Sequence, residues 1–301
     1  RDPGTFSIAA YDEATGDRGV AVASRVLAGG AVVPWARAGV GAVATQSYAN
    51  TTYGPKGLDM MEQGKSAEDT LAALLGADPD RENRQVGVVD SKGGVANHTG
   101  SKCLAWAGTR SGTGYTCQGN ILAGEQVVVA MAEAYEKTRG ELADRLMAAL
   151  VAGDAAGGDK RGRQSAAILV VRQGAGYAGF NDRYVDLRVD DHKDPVRELD
   201  RILHLQLVDG IASRAAALHR EGRTDEARET MRKGTERFPT AAALWYDLAC
   251  YSALTGKKSD AIGAVAKAFW LDASLRTLAK EDHDLDTLRE DPVFQALVEG
   301  L

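Results

Sequence analysis

Short apolar runs separated by polar turns dominate about the first 200 residues of the chain. Two of them lie near its start, Thr5 to Tyr11 and Gly19 to Arg25, with the acidic, glycine-containing segment Asp12 to Asp17 between them. Two apolar runs joined by such a turn predict a β-hairpin. Runs that are rich in Val, Ala, Ile or Tyr and bounded by Gly, Asp or Asn predict strands at 5–11, 19–26, 40–46, 85–90, 94–98, 103–107, 115–119, 166–172 and 184–189.

Apolar residues recur at helical spacing at about 55–75, 124–137 and 140–153. The segment Gly64 to Asp69 interrupts the first of these stretches, and Ser66 with Asp69 resembles a capping box, which predicts that a new helix begins there. The resulting order is strands, two helices, strands, two helices and strands. Two sheets sandwiched between helix pairs accommodate that order.

After Pro195 the pattern predicts helices only, and it repeats itself. Ala215, Gly222, Ala227 and Pro239 are followed 34 residues later by Ala249, Gly256, Ala261 and Ala273. A period of 34 with small residues at these positions resembles a tetratricopeptide repeat. We therefore expect one domain at residues 1–200 and helical repeats at 201–301, with a last helix from Leu285 to Leu301 covering the end of the stack.

Composition and charge exclude several classes of function. The chain has 301 residues, of which 44% are hydrophobic and 26% charged, as in a globular protein. A net charge of −6 gives no reason to expect nucleic acid or an anionic membrane as a partner. No apolar run approaches the roughly 20 residues that a membrane-spanning helix needs.

Cysteine spacing bears on the cellular compartment. Cys103 and Cys117 lie at equal distances from Arg110, so a symmetric hairpin places them opposite each other and permits a disulfide. Two buried thiols are the alternative, and Cys250 lies in a helical pattern as a core residue. The chain starts at Arg1 without Met, as a processed or trimmed protein does. Both observations favour a secreted or periplasmic protein over a cytoplasmic one.

Seven stretches of the first region resemble the domain of unknown function 1028 (DUF1028) family, which is placed with the N-terminal-nucleophile hydrolase fold. They are T-F-S-I at 5–8, G-V-A-V-A-S-R at 19–25, V-P-W-A-R-A-G-V-G-A-V-A-T-Q at 33–46, Y-G-P-K-G-L-D at 53–59, Q-G-N-I-L-A-G at 118–124, Q-S-A-A-I-L-V-V at 164–171 and Y-V-D-L-R-V-D-D-H at 184–192. The resemblance implies an α+β fold, an αββα sandwich, followed by the all-α repeat region. A fold does not by itself supply a function.

Thr5 is the candidate nucleophile. A threonine with a free α-amino group carries its own general base, which takes the hydroxyl proton during attack on an amide carbonyl. Residues Arg1 to Gly4 precede it, and a Gly–Thr junction is where proteins of this broad fold often cleave themselves. The structural alternative is a β-branched residue that opens an edge strand.

The second strand ends in Ser24 and Arg25, which the hairpin places beside Thr5. A cation there lowers the pKa of the terminal amine and stabilises an oxyanion. The proteasome β-subunit pattern Asp-Ser-Arg is similar to residues 23–25, although Ala23 stands where that pattern has the acid. A surface salt bridge is the alternative for Arg25. Arg37 is a candidate for substrate binding, or it stacks on Trp35.

Two further turns carry candidate oxyanion donors. Gln46, Ser47 and Asn50 follow a predicted strand and precede a helix, where backbone N–H groups form such sites, while helix capping is the alternative for Asn50 and Thr51. Asn120 follows Gly119 at the next such turn. It either directs its amide at the tetrahedral intermediate or caps the helix at 124–137.

Asp159 and Ser165 resemble the segment that supports the terminal amine in proteasome-like enzymes, with Asp159 holding the amine and Ser165 sharing its hydrogen bonds. A solvated basic loop is the alternative. The acids near the last strand, Asp182, Asp186, Asp190 and Asp191 with His192, do not have metal-ligand spacing. Alternation places Asp186, Arg188 and Asp190 on one strand face, where ion pairs explain them without a metal.

The sequence therefore predicts a hydrolase, without cofactor or metal, that cleaves the C–N bond of a small amide or lactam. Catalytic roles are assigned to Thr5, Arg25, Asn120, Asp159 and Ser165, and substrate binding to Ser24, Arg37, Gln46 and Asn50. The alternative is a non-catalytic assembly module whose helical repeats bind a protein partner. Either protein is expected to be a homo-oligomer or to self-associate through the repeats, without nucleic acid or membrane.

Overall fold

Strands precede a run of helices in the computed structural model, which describes residues 4–300 apart from the side chain of Ala178. The strands are β1 (Thr5–Tyr11), β2 (Arg18–Ser24), β3 (Pro34–Arg37), β4 (Gly41–Ser47), β5 (Arg84–Val89), β6 (Val95–Thr99), β7 (Gly108–Gly112), β8 (Tyr115–Asn120), β9 (Ser165–Val171) and β10 (Arg183–Val189). The helices are α1 (Tyr53–Glu62), α2 (Ala67–Gly76), α3 (Gln126–Lys137), α4 (Leu142–Ala155), α5 (Pro195–Arg220), α6 (Thr224–Arg237), α7 (Ala242–Leu254), α8 (Lys258–Leu271), α9 (Leu275–Ala279) and α10 (Pro292–Glu299).

The strands form two antiparallel sheets that face each other. One has the order β10-β9-β2-β1-β8-β7 and the other the order β3-β4-β5-β6. Helices α3 and α4 pack on the outer face of the first sheet, and α1 and α2 on the outer face of the second. The first region is thus an α+β domain with four layers, and the chain beyond it is helical.

Small side chains fill the space between the sheets. Ala9, Val22, Ala42, Ala44 and Ala167 form a buried cluster there. At Gly87 of β5 a Cβ atom would lie 2.3 Å from the Oε1 atom of Gln118 on β8, so this position has no room for a side chain. The close approach brings polar side chains of both sheets into hydrogen-bonding distance.

The predicted hairpin and the first helix pair are present. Thr5 pairs with Ser24 and Tyr11 with Arg18. The backbone N–H of Asp69 donates to Ser66 Oγ at 3.1 Å and starts α2, as the capping pattern predicts.

The strand predicted at 103–107 is wrong. β7 lies at Gly108–Gly112 and turns at Thr113 and Gly114, so Arg110 rather than Cys103 stands opposite Cys117. All three cysteines are free, which corrects the disulfide geometry and removes the support it lent to export. The edge strand β3 was not anticipated.

Among the described residues, 4–203 and 204–300 form two compact units, and the boundary between them falls within α5. In the second unit the period of 34 is visible in the element bounds, because α6 and α8 begin and end 34 residues apart. Gly222 and Gly256, with φ of 78° and 73°, follow the ends of α5 and α7. The matched alanines Ala215, Ala249, Ala227 and Ala261 are all fully buried.

The C-terminal segment differs from the single helix predicted from Leu285. A 3-10 helix at His283–Leu288 is followed by α10, whose first turn is capped by the carboxylate of Asp291. Leu301 lies outside the described residues, as do Arg1, Asp2 and Pro3. Within residues 4–300, no helix combines the length and the apolar character needed to cross a membrane.

Candidate active site

Four polar residues on four neighbouring strands lie in one row across the end of the six-stranded sheet. This polar row consists of Ser165 on β9, Ser24 on β2, Thr5 on β1 and Asn120 on β8, each directly opposite the next. Directly opposite residues project from the same face of a sheet. The row faces the second sheet, because Asn120 Nδ2 donates to Gln85 Oε1 of β5 at 3.0 Å.

The hydroxyl groups of Thr5 and Ser24 form a directed pair. Their oxygens are 3.1 Å apart. Ser24 Oγ is also 2.5 Å from the carbonyl oxygen of Gly4, which can only accept a hydrogen bond. The single proton of Ser24 is therefore committed to Gly4, so Thr5 donates to Ser24. A continuous line of hydrogen bonds runs from the Thr5 hydroxyl to the carbonyl of the peptide bond that precedes it.

The Gly4 carbonyl has a second donor, the guanidinium of Arg161. Arg161 Nη2 lies 3.1 Å from the Gly4 oxygen. The same guanidinium makes a two-point contact with Asp159, with Nε to Oδ1 at 2.9 Å and Nη2 to Oδ2 at 2.6 Å. A carboxylate bound in this way fixes the direction of the guanidinium. The Gly4 oxygen thus lies between a hydroxyl and a positive charge, as an oxyanion needs.

The amide of Asn120 is oriented by a buried network. Gln85 Nε2 donates to the carbonyl oxygen of Gly119 at 2.8 Å, so its Oε1 atom must accept from Asn120 Nδ2 and from Gln46 Nε2. Asn120 Oδ1 is buried and has no hydrogen-bond partner among the described residues. One N–H of the Asn120 amide donates to Gln85, and the amide carries a second N–H, so donation to an oxyanion stays a prediction. Asn120 does not cap α3, which begins at Gln126.

Gln46 holds β1 against the second sheet. Its Nε2 atom is 3.3 Å from the carbonyl oxygen of Thr5, and its Oε1 accepts from Ser7 Oγ at 2.6 Å. Its side chain is buried directly below the polar row and supports the position of Thr5.

Backbone strain is concentrated next to these residues. Among residues 4–300, the non-glycine residues with positive φ are Ala28, Ser47 and Ile121, at 52°, 62° and 53°. Ser47 follows Gln46, Ile121 follows Asn120, and Ala28 lies in the loop after Ser24. Such conformations persist only where the surrounding structure enforces them, and they cluster at functional sites.

Comparison with known proteins identifies the family. The DUF1028 profile, described as a family of unknown function, matches residues 5–199. The chain belongs to the DUF1028 family. The crystal structure of protein SPO2555 from Silicibacter pomeroyi, a DUF1028 protein, is similar with a TM-score of 0.61 and 31% identity over 66% of this chain and 88% of that one. A tetratricopeptide-repeat profile matches residues 208–249. No curated protein matches the chain.

Arg25 and Ser165 support the loops of this DUF1028 site. Arg25 Nη1 donates to Gln164 Oε1 at 2.9 Å, and the backbone N–H of Arg25 donates to Asp159 Oδ2 at 3.2 Å. Ser165 Oγ donates to the carbonyl of Val26 at 2.6 Å and accepts from the N–H of Gly29 at 3.1 Å. In the uncut chain, where the Thr5 nitrogen lies in a peptide bond, Asp159 binds Arg161 and the backbone N–H of Arg25; its contact with a free Thr5 amine stays a prediction.

Arg37 and Asn50 are not brought to the polar row. Arg37 pairs with Glu62 at 2.7 Å and Asp59 at 2.9 Å on the surface. Asn50 Nδ2 donates to Asp78 Oδ2 at 3.0 Å, where the guanidinium of Arg84 holds the pKa of the Asp78 carboxyl well below its usual value. Both side chains link elements of the second sheet and its helices.

The acids near β10 form ion pairs within that strand. Arg188 Nη2 lies 2.9 Å from Asp190, and Arg183 Nη1 lies 2.5 Å from Asp186. These pairs join residues that are close along the chain rather than residues on neighbouring strands.

Two residues that shape the site were missed by sequence reasoning. Gln85 is the second residue of β5, and a buried glutamine in a largely apolar strand is a signal for a polar network between sheets. Arg161 lies in the basic loop for which a solvated role was the alternative, and no local pattern marks it as the partner of Gly4, which is 157 residues away.

A cavity of about 390 Å³ adjoins the polar row on the β2 and β9 side. Ser24, Asp159 and Ser165 line it, together with Arg163 and Lys193. Its volume suits a small molecule.

Proposed function

We propose that this DUF1028 protein is an amide hydrolase whose nucleophile is the hydroxyl of Thr5, activated when the Gly4–Thr5 peptide bond is cut. The observation that supports the proposal is the line of hydrogen bonds from Thr5 through Ser24 to the Gly4 carbonyl. A nucleophile, a proton acceptor and a polarised carbonyl therefore meet within the chain itself.

The cut at Gly4–Thr5 follows from this geometry. Thr5 Oγ forms a bond to the carbonyl carbon of Gly4. Its proton passes to Ser24 Oγ as Ser24 passes its own proton to the Gly4 oxygen, and Arg161 stabilises the negative charge that develops on that oxygen. The C–N bond then breaks, the nitrogen of Thr5 takes the proton, and an ester joins the Gly4 carbonyl to Thr5 Oγ. Water hydrolyses the ester to a carboxylate at residue 4 and restores the hydroxyl. Thr5 now carries a free amine.

The cut chain repeats the same chemistry on an external amide. The amine of Thr5 takes the hydroxyl proton as Thr5 Oγ attacks the carbonyl carbon, and gives it to the departing amine when the C–N bond breaks. Water then hydrolyses the acyl ester on Thr5 Oγ and restores the hydroxyl. The four layers of the domain, with the nucleophile at the head of β1 between two antiparallel sheets, support a relationship to N-terminal-nucleophile hydrolases. The adjoining cavity of about 390 Å³ favours a small amide or lactam as substrate.

Burial of Thr5 indicates that a chain which is never cut is catalytically inert. The residue is 4% exposed and its nitrogen lies in a peptide bond, so a chain that is never cut is an inert module. The tetratricopeptide-like repeats suggest protein–protein interaction in either case. If the first unit is not an enzyme, we assign to the second unit the role of binding a protein partner through its repeats.

The direct test uses a chain that begins at Thr5 and its Thr5→Ala counterpart, screened against small amides and lactams. The proposal predicts turnover by the first protein and none by the second. Equal turnover by both proteins removes Thr5 from the mechanism.

A further inference from the structure

We propose that the acyl-binding part of this site accepts only acyl groups whose α-carbon carries no side chain in the L configuration, so that the substrates are amides of glycyl or similar acyl groups without a Cβ atom at that position. The proposal rests on the function proposed above, because it uses Gly4 as the first acyl group that the site handles. It adds a substrate class and names Ile121 and Asp159 as the residues that set it.

Gly4 has no space beside its α-carbon. A Cβ atom in the L configuration would lie 2.7 Å from Arg161 Nη2, 2.8 Å from Asp159 Oδ2 and 2.9 Å from Ile121 Cβ. Separations under 3 Å force a displacement of the neighbouring atoms. The carbonyl of Gly4 is meanwhile held by Ser24 and Arg161, so the acyl group has no freedom to turn away.

Asp159 is fixed in place. Its carboxylate accepts hydrogen bonds from the backbone N–H groups of Arg25 and Arg161 and from two atoms of the Arg161 guanidinium. The side chain is only 1% exposed. A Cβ atom on the acyl α-carbon displaces this carboxylate only by breaking a buried ion pair.

Ile121 is fixed through its backbone. Its N–H donates to the carbonyl of Leu104 at 3.0 Å, and its own carbonyl accepts from the N–H of Lys160 at 3.0 Å. Its φ of 53° is one that a β-branched residue rarely adopts. The contact atom is Cβ, which no side-chain rotation moves, so the wall at this position is rigid.

The Gly4 environment describes the substrate site because both reactions pass through the same kind of intermediate. The ester formed during the cut carries the Gly4 acyl group on Thr5 Oγ. A glycyl amide from outside gives the same species, with its oxygen facing the same two donors. The α-carbon of an external acyl group therefore comes to the place that Gly4 occupies.

The test compares N-acetylglycine 4-nitroanilide with N-acetyl-L-alanine 4-nitroanilide on a chain that begins at Thr5. The expected kcat/KM for the glycyl compound is higher by about 10- to 100-fold, the range typical of steric discrimination of one carbon. Ile121→Gly removes the Cβ atom that contacts the acyl group, and glycine adopts the positive φ at this position without strain. This variant is therefore expected to lower the ratio of kcat/KM between the glycyl and the alanyl compound. Ile121→Ala shortens the side chain but keeps the Cβ atom, so the ratio of kcat/KM between the two compounds is expected to remain unchanged.

The outcomes separate the two proposals. Equal kcat/KM for both compounds, or the same change of the ratio in both Ile121 variants, overturns the subsite while leaving Thr5 as nucleophile. If neither compound is hydrolysed, the full chain and its Gly4→Ala variant decide. Cleavage of the bond after residue 4 that is about tenfold or more slower with alanine than with glycine supports the subsite. Cleavage at equal rates in the two chains overturns the subsite. No cleavage in either chain rejects the proposed function together with the subsite.

Discussion

Thr5 Oγ1 and Ser24 Oγ lie 3.1 Å apart, and Thr5 is the donor of the pair because the proton of Ser24 is held by the Gly4 carbonyl. This hydrogen bond gives Ser24 a role in proton transfer, whereas the sequence analysis assigned Ser24 only to substrate binding. Before Thr5 has a free amine, Ser24 is the group in contact with its hydroxyl that can take the Thr5 proton while passing its own proton to the Gly4 oxygen.

Replacing Ser24 by Ala is therefore expected to slow the cut at Gly4–Thr5 by about 10²- to 10⁴-fold, the usual contribution of a positioned proton acceptor. Intact mass over time measures the rate. Ser165→Ala is the matched control, since it removes a buried hydroxyl from the same row that bonds only the loop after β2. A Ser24→Ala chain that is cut as fast as the Ser165→Ala chain contradicts the relay.

Arg161 supplies the charge at the Gly4 carbonyl. Arg161→Met is expected to slow the cut by about 10²- to 10³-fold, as the loss of one oxyanion donor does. It also leaves Asp159 buried without its partner, so the free energy of unfolding falls by about 1–3 kcal/mol. Rates from intact mass and unfolding in urea measure the two effects.

A second substitution separates the effect of Arg161 on the cleavage rate from its effect on stability. In the Arg161→Met chain, Asp159→Asn removes the unpaired charge and is expected to recover stability without recovering the rate. Arg163→Met, which loses only a half-exposed pair with Asp154, is the control on the same loop. Recovery of the rate together with stability argues that Arg161 has only a structural role.

Crowding at Gly4 has a consequence for stability that does not depend on catalysis. In a Thr5→Ala chain, Gly4→Ala is expected to lower the free energy of unfolding by about 1–3 kcal/mol, as overpacking does. Gly76→Ala at the end of α2, where a Cβ meets no atom within 4 Å, is expected to raise it by up to about 1 kcal/mol. Urea unfolding measures the stability change in both variants. An unchanged unfolding midpoint for Gly4→Ala shows that the residues beside Gly4 move to make room for the added Cβ atom.

The second unit has a titrating group of its own. Burial, followed by the charges of Asp282 and Asp284, raises the pKa of Asp247 to about 6. The folded state therefore binds the Asp247 proton more tightly than the unfolded state does. Stability from this group rises as the pH falls from about 6 toward the unfolded value of about 4.

Asp247→Asn is accordingly expected to raise the melting temperature of the helical unit at pH 7.5, with a smaller gain at pH 4.5. The exposed Asp209→Asn serves as the control. A gain that is the same at both pH values shows that Asp247 does not titrate in this range.

Much of the strand framework was predictable because its signals are local. β1 has the predicted bounds, and β9 differs by one residue at each end, since both are apolar runs with polar limits. β7 was misplaced because its residues, Gly108–Gly112, are polar or Gly, while the apolar run lies just before it; the turn at Thr113 and Gly114 sets the register instead. β3 is only four residues long and begins with Pro at a sheet edge, which leaves little pattern to detect.

The site was predictable only in part for a related reason. Thr5, Ser24, Asn120 and Ser165 all stand at strand ends, so a correct strand order brings them together. Arg161 reaches Gly4 from a loop whose path depends on tertiary contacts. The direction of the Asn120 amide depends on Gln85 in the other sheet, which no local pattern encodes.

Intact mass and N-terminal sequencing of the purified full chain test the central claim most directly. The account predicts that the chain is cut between Gly4 and Thr5, that Thr5→Ser is also cut, and that Thr5→Ala stays whole under the same conditions. A wild-type chain that stays whole, or a Thr5→Ala chain that is cut at the same bond, contradicts the assignment of Thr5 as the nucleophile.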